Sequence, residues 1–107
     1  MKIDITYDGA LGVLAGEIEE RVSAAIAAGA ETVKEHAQSI CPVDTGVLRD
    51  SISVSQDGMS AEISANTDYA AYVEFGTSKM AAQPYLVPAL LGNENAVISA
   101  IAAAIMG

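Results

Sequence analysis

Few residues in this chain are of types that do chemistry, and their spacing decides what each could do. Cys41 is its one cysteine and His36 its one histidine. A thiolate–imidazole pair would make a nucleophile. Positions five apart on a helix point to different faces, so the plainer reading is a buried thiol and a surface imidazole. Asp44 and Glu74 are candidates for an acid–base pair. Acids at a turn, or just before a glycine, more often cap amides or pair with arginine, and Arg49 is near in sequence. Gly76-Thr77-Ser78-Lys79 falls short of a phosphate loop, because it lacks the G-x-x-x-x-G-K-[ST] spacing. One histidine and one cysteine are too thin for a metal site. No nucleophile, base and orienting group form a constellation, so the chain is expected to be no enzyme, with neither cofactor nor metal.

The richest stretch is residues 69–89, Y-A-A-Y-V-E-F-G-T-S-K-M-A-A-Q-P-Y-L-V-P-A. It holds four of the five aromatic residues and two of the three prolines. Between the aromatics lies a run with little to anchor it: Gly76, Thr77, Ser78, Lys79, Met80, Ala81, Ala82 and Gln83. A loop held between such anchors is expected to contact another molecule, with Lys79 and Met80 as contact points. Tyr72 and Phe75 are assigned to the core, since aromatics supply much of a small core's burial.

Composition narrows the partners. A chain of 107 residues is expected to form a single domain spanning 1–107. Its apolar fraction is 51% and its mean hydropathy +0.34. A small domain cannot hide that much apolar surface, although alanine makes up much of it, so self-association is expected. Fourteen acids against five bases give a net charge of −9. That charge argues against wrapping nucleic acid and against docking on an anionic membrane. A lone cysteine offers no internal disulfide and fits a reducing compartment. The first residues lack a signal-peptide core, and the apolar run 96–106 is too short to cross a bilayer.

These residues need elements to position them. Ile3, Ile5 and Tyr7 alternate with polar residues and predict a short strand, after which Asp8 can cap a helix. Apolar residues from Leu11 through Leu14, Ile18, Val22, Ile26, Val33 and Ala37 to Ile40 predict one long helix, with a bend near Gly29. Pro42 ends it, and Pro42-Val43-Asp44-Thr45-Gly46 reads as a turn in which Gly46 permits positive φ. Alternation over 47–65 around Asp57-Gly58 predicts an antiparallel hairpin with one face on the core. Residues 69–75 fit a strand and a helical turn equally well. Pro84 and Pro88 cannot share one helix interior, so 84–87 is expected to be extended, with Pro88 at the first helical position. A closing helix then runs to Met106, with a possible restart at Asn93. The fold class is therefore α+β: a long N-terminal helix and a C-terminal helix packed on a small antiparallel sheet.

Two separated segments, C-P-V-D-T-G-V-L-R-D-S-I and Y-A-A-Y-V-E-F-G-T followed by Q-P-Y-L-V-P-A-L, stand in an order that resembles the neck and tail-component proteins of long-tailed bacteriophages. The resemblance covers about two thirds of the chain. It departs at residues 3–7 and in the alanine-rich helices. It implies a non-enzymatic virion part, a head–tail joining or tail-completion protein that forms a homo-oligomeric ring, taken as six-fold. Its implied partners are itself and neighbouring connector or tail proteins, with DNA only as cargo and no membrane. The implied location is the virion, with the host cytoplasm during assembly. A tail-tube terminator ring is the alternative within this class, and a small prophage hydrolase or toxin-like domain the alternative outside it. Pro42, Asp44, Thr45, Gly46, Arg49, Tyr72, Glu74, Phe75, Pro84, Tyr85 and Pro88 are its structural motif residues. Arg49 is expected to pair with Glu74 or Asp44, and the 76–83 loop to be mobile until it meets a partner. A channel role combined with charge −9 implies an acidic lumen that DNA slides past.

Overall fold

The computed structural model describes residues 1–6, 16–41 and 46–106, with side chains for all of these but 16 and 17. The expected contribution of Tyr7, the cap at Asp8, the helix start at Leu11 and Leu14, and the motif residues Pro42, Asp44 and Thr45 lie outside the described residues.

Strand β1 (Lys2–Thr6) opens the chain and helix α1 (Gly16–Ile40) follows. A single helical turn, α2 (Val47–Ser51), leads into the hairpin β2 (Ile52–Asp57) and β3 (Ser60–Ala65). The short helix α3 (Ala70–Phe75) and the long helix α4 (Leu86–Met106) complete the fold. The sheet has the order β1-β3-β2, antiparallel throughout. The α+β architecture read from the sequence is the one observed.

Register explains which side of the sheet is buried. Ile3 faces Ile63, which faces Val54, and Ile5 faces Ala61. Together with Ile52 and Ala65 these side chains form one apolar face, which α1 covers. The opposite face carries Lys2, Asp4, Ser53, Ser55, Glu62 and Ser64. Lys2 Nζ stands 3.8 Å from Glu62 Oε1 there, an exposed pair of little energetic weight. The hairpin starts at Ile52 rather than at 47, because Val47–Ser51 is helical. Gly46 precedes that turn with φ 81, as its position in the sequence predicts. The two-residue hairpin loop is Gly58-Met59, with Asp57 still paired to Ser60. Gly58 has φ 59 and no described non-glycine residue, Met59 included, has positive φ, the pattern of a type II′ turn.

Val22, Ile26, Ala30, Val33, Ala37 and Cys41 make the buried stripe of α1, at spacings of three and four. Ile40, read as part of that stripe, is exposed, and Cys41 takes its place. Helix α4 lies along α1 in the most extensive contact between elements. Gly29 permits that approach: a Cβ there would stand 2.9 Å from Val97 Cγ2. The glycine read as a bend in α1 thus serves close packing inside one continuous helix. Helix α4 is likewise unbroken at Asn93, whose side-chain amide donates to Ala89 O at 2.7 Å and to His36 Nδ1 at 3.0 Å.

Candidate functional site

In α3 the small and half-apolar positions Ala70, Val73 and Glu74 fall three and four apart and turn inward, so Tyr69, Tyr72 and Phe75 turn out. Tyr72 is 58% exposed and Phe75 68%. The expectation that these two rings belong to the core is therefore corrected. One helical turn has room for a single inward stripe, and alanine, valine and glutamate occupy it.

Glu74 is only 2% exposed, yet its carboxylate is fully engaged. Oε1 accepts the N–H groups of Tyr85 (3.1 Å) and Leu86 (2.8 Å), and Oε2 that of Val87 at 3.4 Å. Leu86 and Val87 are the first residues of α4, whose amides have no partner within the helix. Pro88, expected at the first helical position, is instead the third helical residue because α4 already begins at Leu86, and it has no N–H to satisfy. Glutamate from one segment and proline within the other together account for the amides of the helix start, where partial positive charge favours a carboxylate. Glu74 thus acts as a remote cap, which explains why V-E-F-G and P-Y-L-x-P belong together.

Arg49 takes no part in this site. Its Nε pairs with Asp50 Oδ1 at 3.0 Å, so the expected ion pair with Glu74 does not form. The other option, Asp44, lies outside the described residues. Tyr85, beside the cap, is fully buried and donates its hydroxyl to Ala70 O at 3.3 Å. Burial pushes its phenol well above the usual tyrosine range, and the charges of Cys41 and Glu74 push the same way. The Cys41 thiol is raised by burial as well, against the pull of Arg49. His36 bonds to Asn93 and Cys41 sits in the core, so the pair considered as a nucleophile serves packing and helix docking. Among the described residues no group of three His, Cys, Asp or Glu side chains gathers to hold a metal.

Residues 76–83 form a loop with hydrogen bonds of its own. Thr77 N donates to Met80 O at 2.8 Å, while Lys79 N and Met80 N both donate to Thr77 Oγ1. Gln83 N donates to Val73 O at 2.8 Å and ties the returning strand to α3. Gly76 has φ 78, and a Cβ on it would stand 2.7 Å from Ala82 N and 2.9 Å from Met80 O. No side chain fits there, so the glycine sets the fold of the loop. Thr77, Ser78, Lys79, Met80, Ala81, Ala82, Gln83 and Pro84 are all exposed.

Next to the loop, α4 is poorly covered. Only Leu86, Ala89 and Val97 are buried, while Leu91 is 62% and Ile98 56% exposed. By length and composition alone the helix could cross a membrane, its mean hydropathy reaching 1.5. The apolar run 96–106, interrupted by Ser99, is only part of this helix, which begins at Leu86. Two apolar hollows open on this face and share Leu91. One is lined by Phe75, Pro84, Val87 and Pro88 with Glu74, and the other by Leu90, Glu94, Ile98 and Ile101 with Asp4, Ile5 and Thr6 of β1. The sequence does carry the signal for this bare side. Val87, Leu91, Glu94 and Ile98 recur every three or four residues, beside the stripe that packs on α1, and the partly buried Ile101 and Ile105 continue the spacing.

The chain thus joins a remotely capped helix start to an apolar helix face that its own fold leaves uncovered. The family described as "Bacteriophage HK97-gp10, putative tail-component" matches residues 8–76, more than half of the chain, and the protein belongs to this family. The match spans α1, the hairpin and α3, including Glu74, and ends at Gly76, the first residue of the loop, short of α4. No curated protein and no solved structure matches significantly.

Proposed function

We propose that this tail component is a structural virion protein of a long-tailed phage or prophage. It assembles as a ring, six copies as the working symmetry, at the head–tail interface or the upper end of the tail. There it assists tail completion and joining, and DNA passes through it as cargo. The observation that carries this reading is the exposed apolar surface that runs from Phe75 through Leu91 to Ile98. A free chain gains by covering such a surface, and a ring covers it in every copy. The net charge of −9 suits a channel wall that does not hold DNA. The chain does its work as a contact surface, without catalysis, and it assembles in the host cytoplasm before residing in the virion.

Cryo-electron microscopy of the particle tests the proposal. The expected result is ring density for this chain at the neck or the upper tail end, with a neutral-to-acidic inner wall. Particles that carry the chain elsewhere, or not at all, would rule the proposal out.

A further inference from the structure

We propose that the hollow between α4 and β1 is the seat for the 76–83 loop of a second copy of this chain, with Lys79 on Glu94 and Met80 against Leu91 and Ile98. This rests on the ring reading and names its contact. Leu91, Glu94, Ile98 and Ile101 share one side of α4, so whatever covers the leucine and isoleucine also covers the carboxylate. Asp4 of β1 also borders the hollow, from a strand position whose side chain belongs to the opposite face of the sheet. A purely apolar occupant, such as the same face of another α4, would bury the Glu94 carboxylate without a partner, which is unfavourable. The occupant must bring a cation beside an apolar side chain.

Lys79 and Met80 fit that requirement. Lys79 is the only basic residue after Arg49, it is exposed, and it forms no ion pair among the described residues. Met80 beside it is 40% exposed, and its flexible thioether suits an irregular hollow. The other cations are less suited. Lys2 is paired with Glu62 and Arg49 with Asp50, while Arg21 and Lys34 adjoin the buried Val22 and Val33. The hydrogen bonds at Thr77 already shape the backbone of Lys79 and Met80, which leaves less to order on contact. No loop residue lines the hollow of its own chain. Donor and acceptor are therefore different surfaces, and such a contact repeats head to tail, as a ring requires.

Sedimentation velocity on the full chain and three variants tests this, with circular dichroism to confirm the fold. Both positions are exposed, so the fold is not at stake. Lys79→Glu and Glu94→Lys should each weaken association by about tenfold or more. The double variant, which keeps the wild-type net charge, should restore it to within about threefold. If the wild type associates and neither single variant changes that, the loop-and-hollow contact is wrong while the ring reading stands. A wild type that stays monomeric at every concentration overturns the ring reading along with it. Co-sedimentation of the wild type with phosphatidylcholine vesicles would assign the bare face of α4 to lipid and overturn the contact.

Discussion

Glu74 has no cation within ion-pair distance among the described residues, and backbone amides take that place. A buried carboxylate is tolerable only when such donors surround it. Glu74→Ala leaves the amides of Tyr85, Leu86 and Val87 without acceptors and should cost about 2–4 kcal/mol. Glu74→Gln keeps one acceptor oxygen and should cost about half as much. Urea unfolding measures both, and a loss in Glu74→Ala below about 0.5 kcal/mol would show that the cap is idle. Tyr85 makes a separate prediction. Its folded-state pKa lies above the ordinary value of 10.0 because of burial, so above that pH the native state keeps a proton that the unfolded chain has lost. Stability is then intact below pH 10 and falls as pH rises beyond it. Tyr85→Phe should flatten this alkaline slope while costing about 1 kcal/mol at neutral pH through the lost bond to Ala70 O. An unchanged slope would mean that other groups govern alkaline unfolding.

Between elements, α1 and α4 make the principal joint, and Gly29 against Val97 is its tightest point. Alanine is favoured over glycine inside a helix by about 1 kcal/mol. The β-branched Val97 is stiff and only 8% exposed, so it has little freedom to yield to a new methyl group. Gly29→Ala alone should therefore give no gain in thermal stability, whereas in a Val97→Ala background it should add about 1 kcal/mol. A gain of that size in the wild-type background would show that the joint has slack. The elements themselves were largely legible in the sequence, because alternation in β1, β2 and β3 and the three-to-four spacing in α1 each admit one structure. Residues 47–51 were not, since Leu48, Ile52 and Val54 share a parity that satisfies a strand just as well. Tyr72 and Phe75 misled for a related reason. Aromatic character argues for burial, whereas a six-residue helix is oriented by whichever stripe fits the space, and here Ala70 and Glu74 fit. Glu74 was read as a partner for arginine because an orphan helix start cannot be recognised before the two segments are known to meet.

On the scale of the whole molecule, the question is whether the bare side of α4 belongs to the fold or to an assembly. A core residue and an interface residue can look alike in hydropathy, but they differ in what a charge does to them. Buried inside the monomer, a carboxylate without a partner costs several kcal/mol. At positions as open as Leu91 and Ile98 it remains in water and costs almost nothing until a partner arrives. Acidic replacements also deepen the repulsion among copies that already carry a charge of −9. The double variant Leu91→Glu/Ile98→Glu should therefore run as a monomer in light scattering at concentrations where the wild type associates. Its unfolding free energy, measured under dilute conditions where the wild type is also monomeric, should stay within about 0.5 kcal/mol of the wild-type value. A loss above about 2 kcal/mol under those conditions would place both side chains in the core of the monomer. Unchanged association with unchanged stability would move the interface off α4 altogether, leaving Tyr72 and Phe75 of α3 as the apolar surface still to be covered.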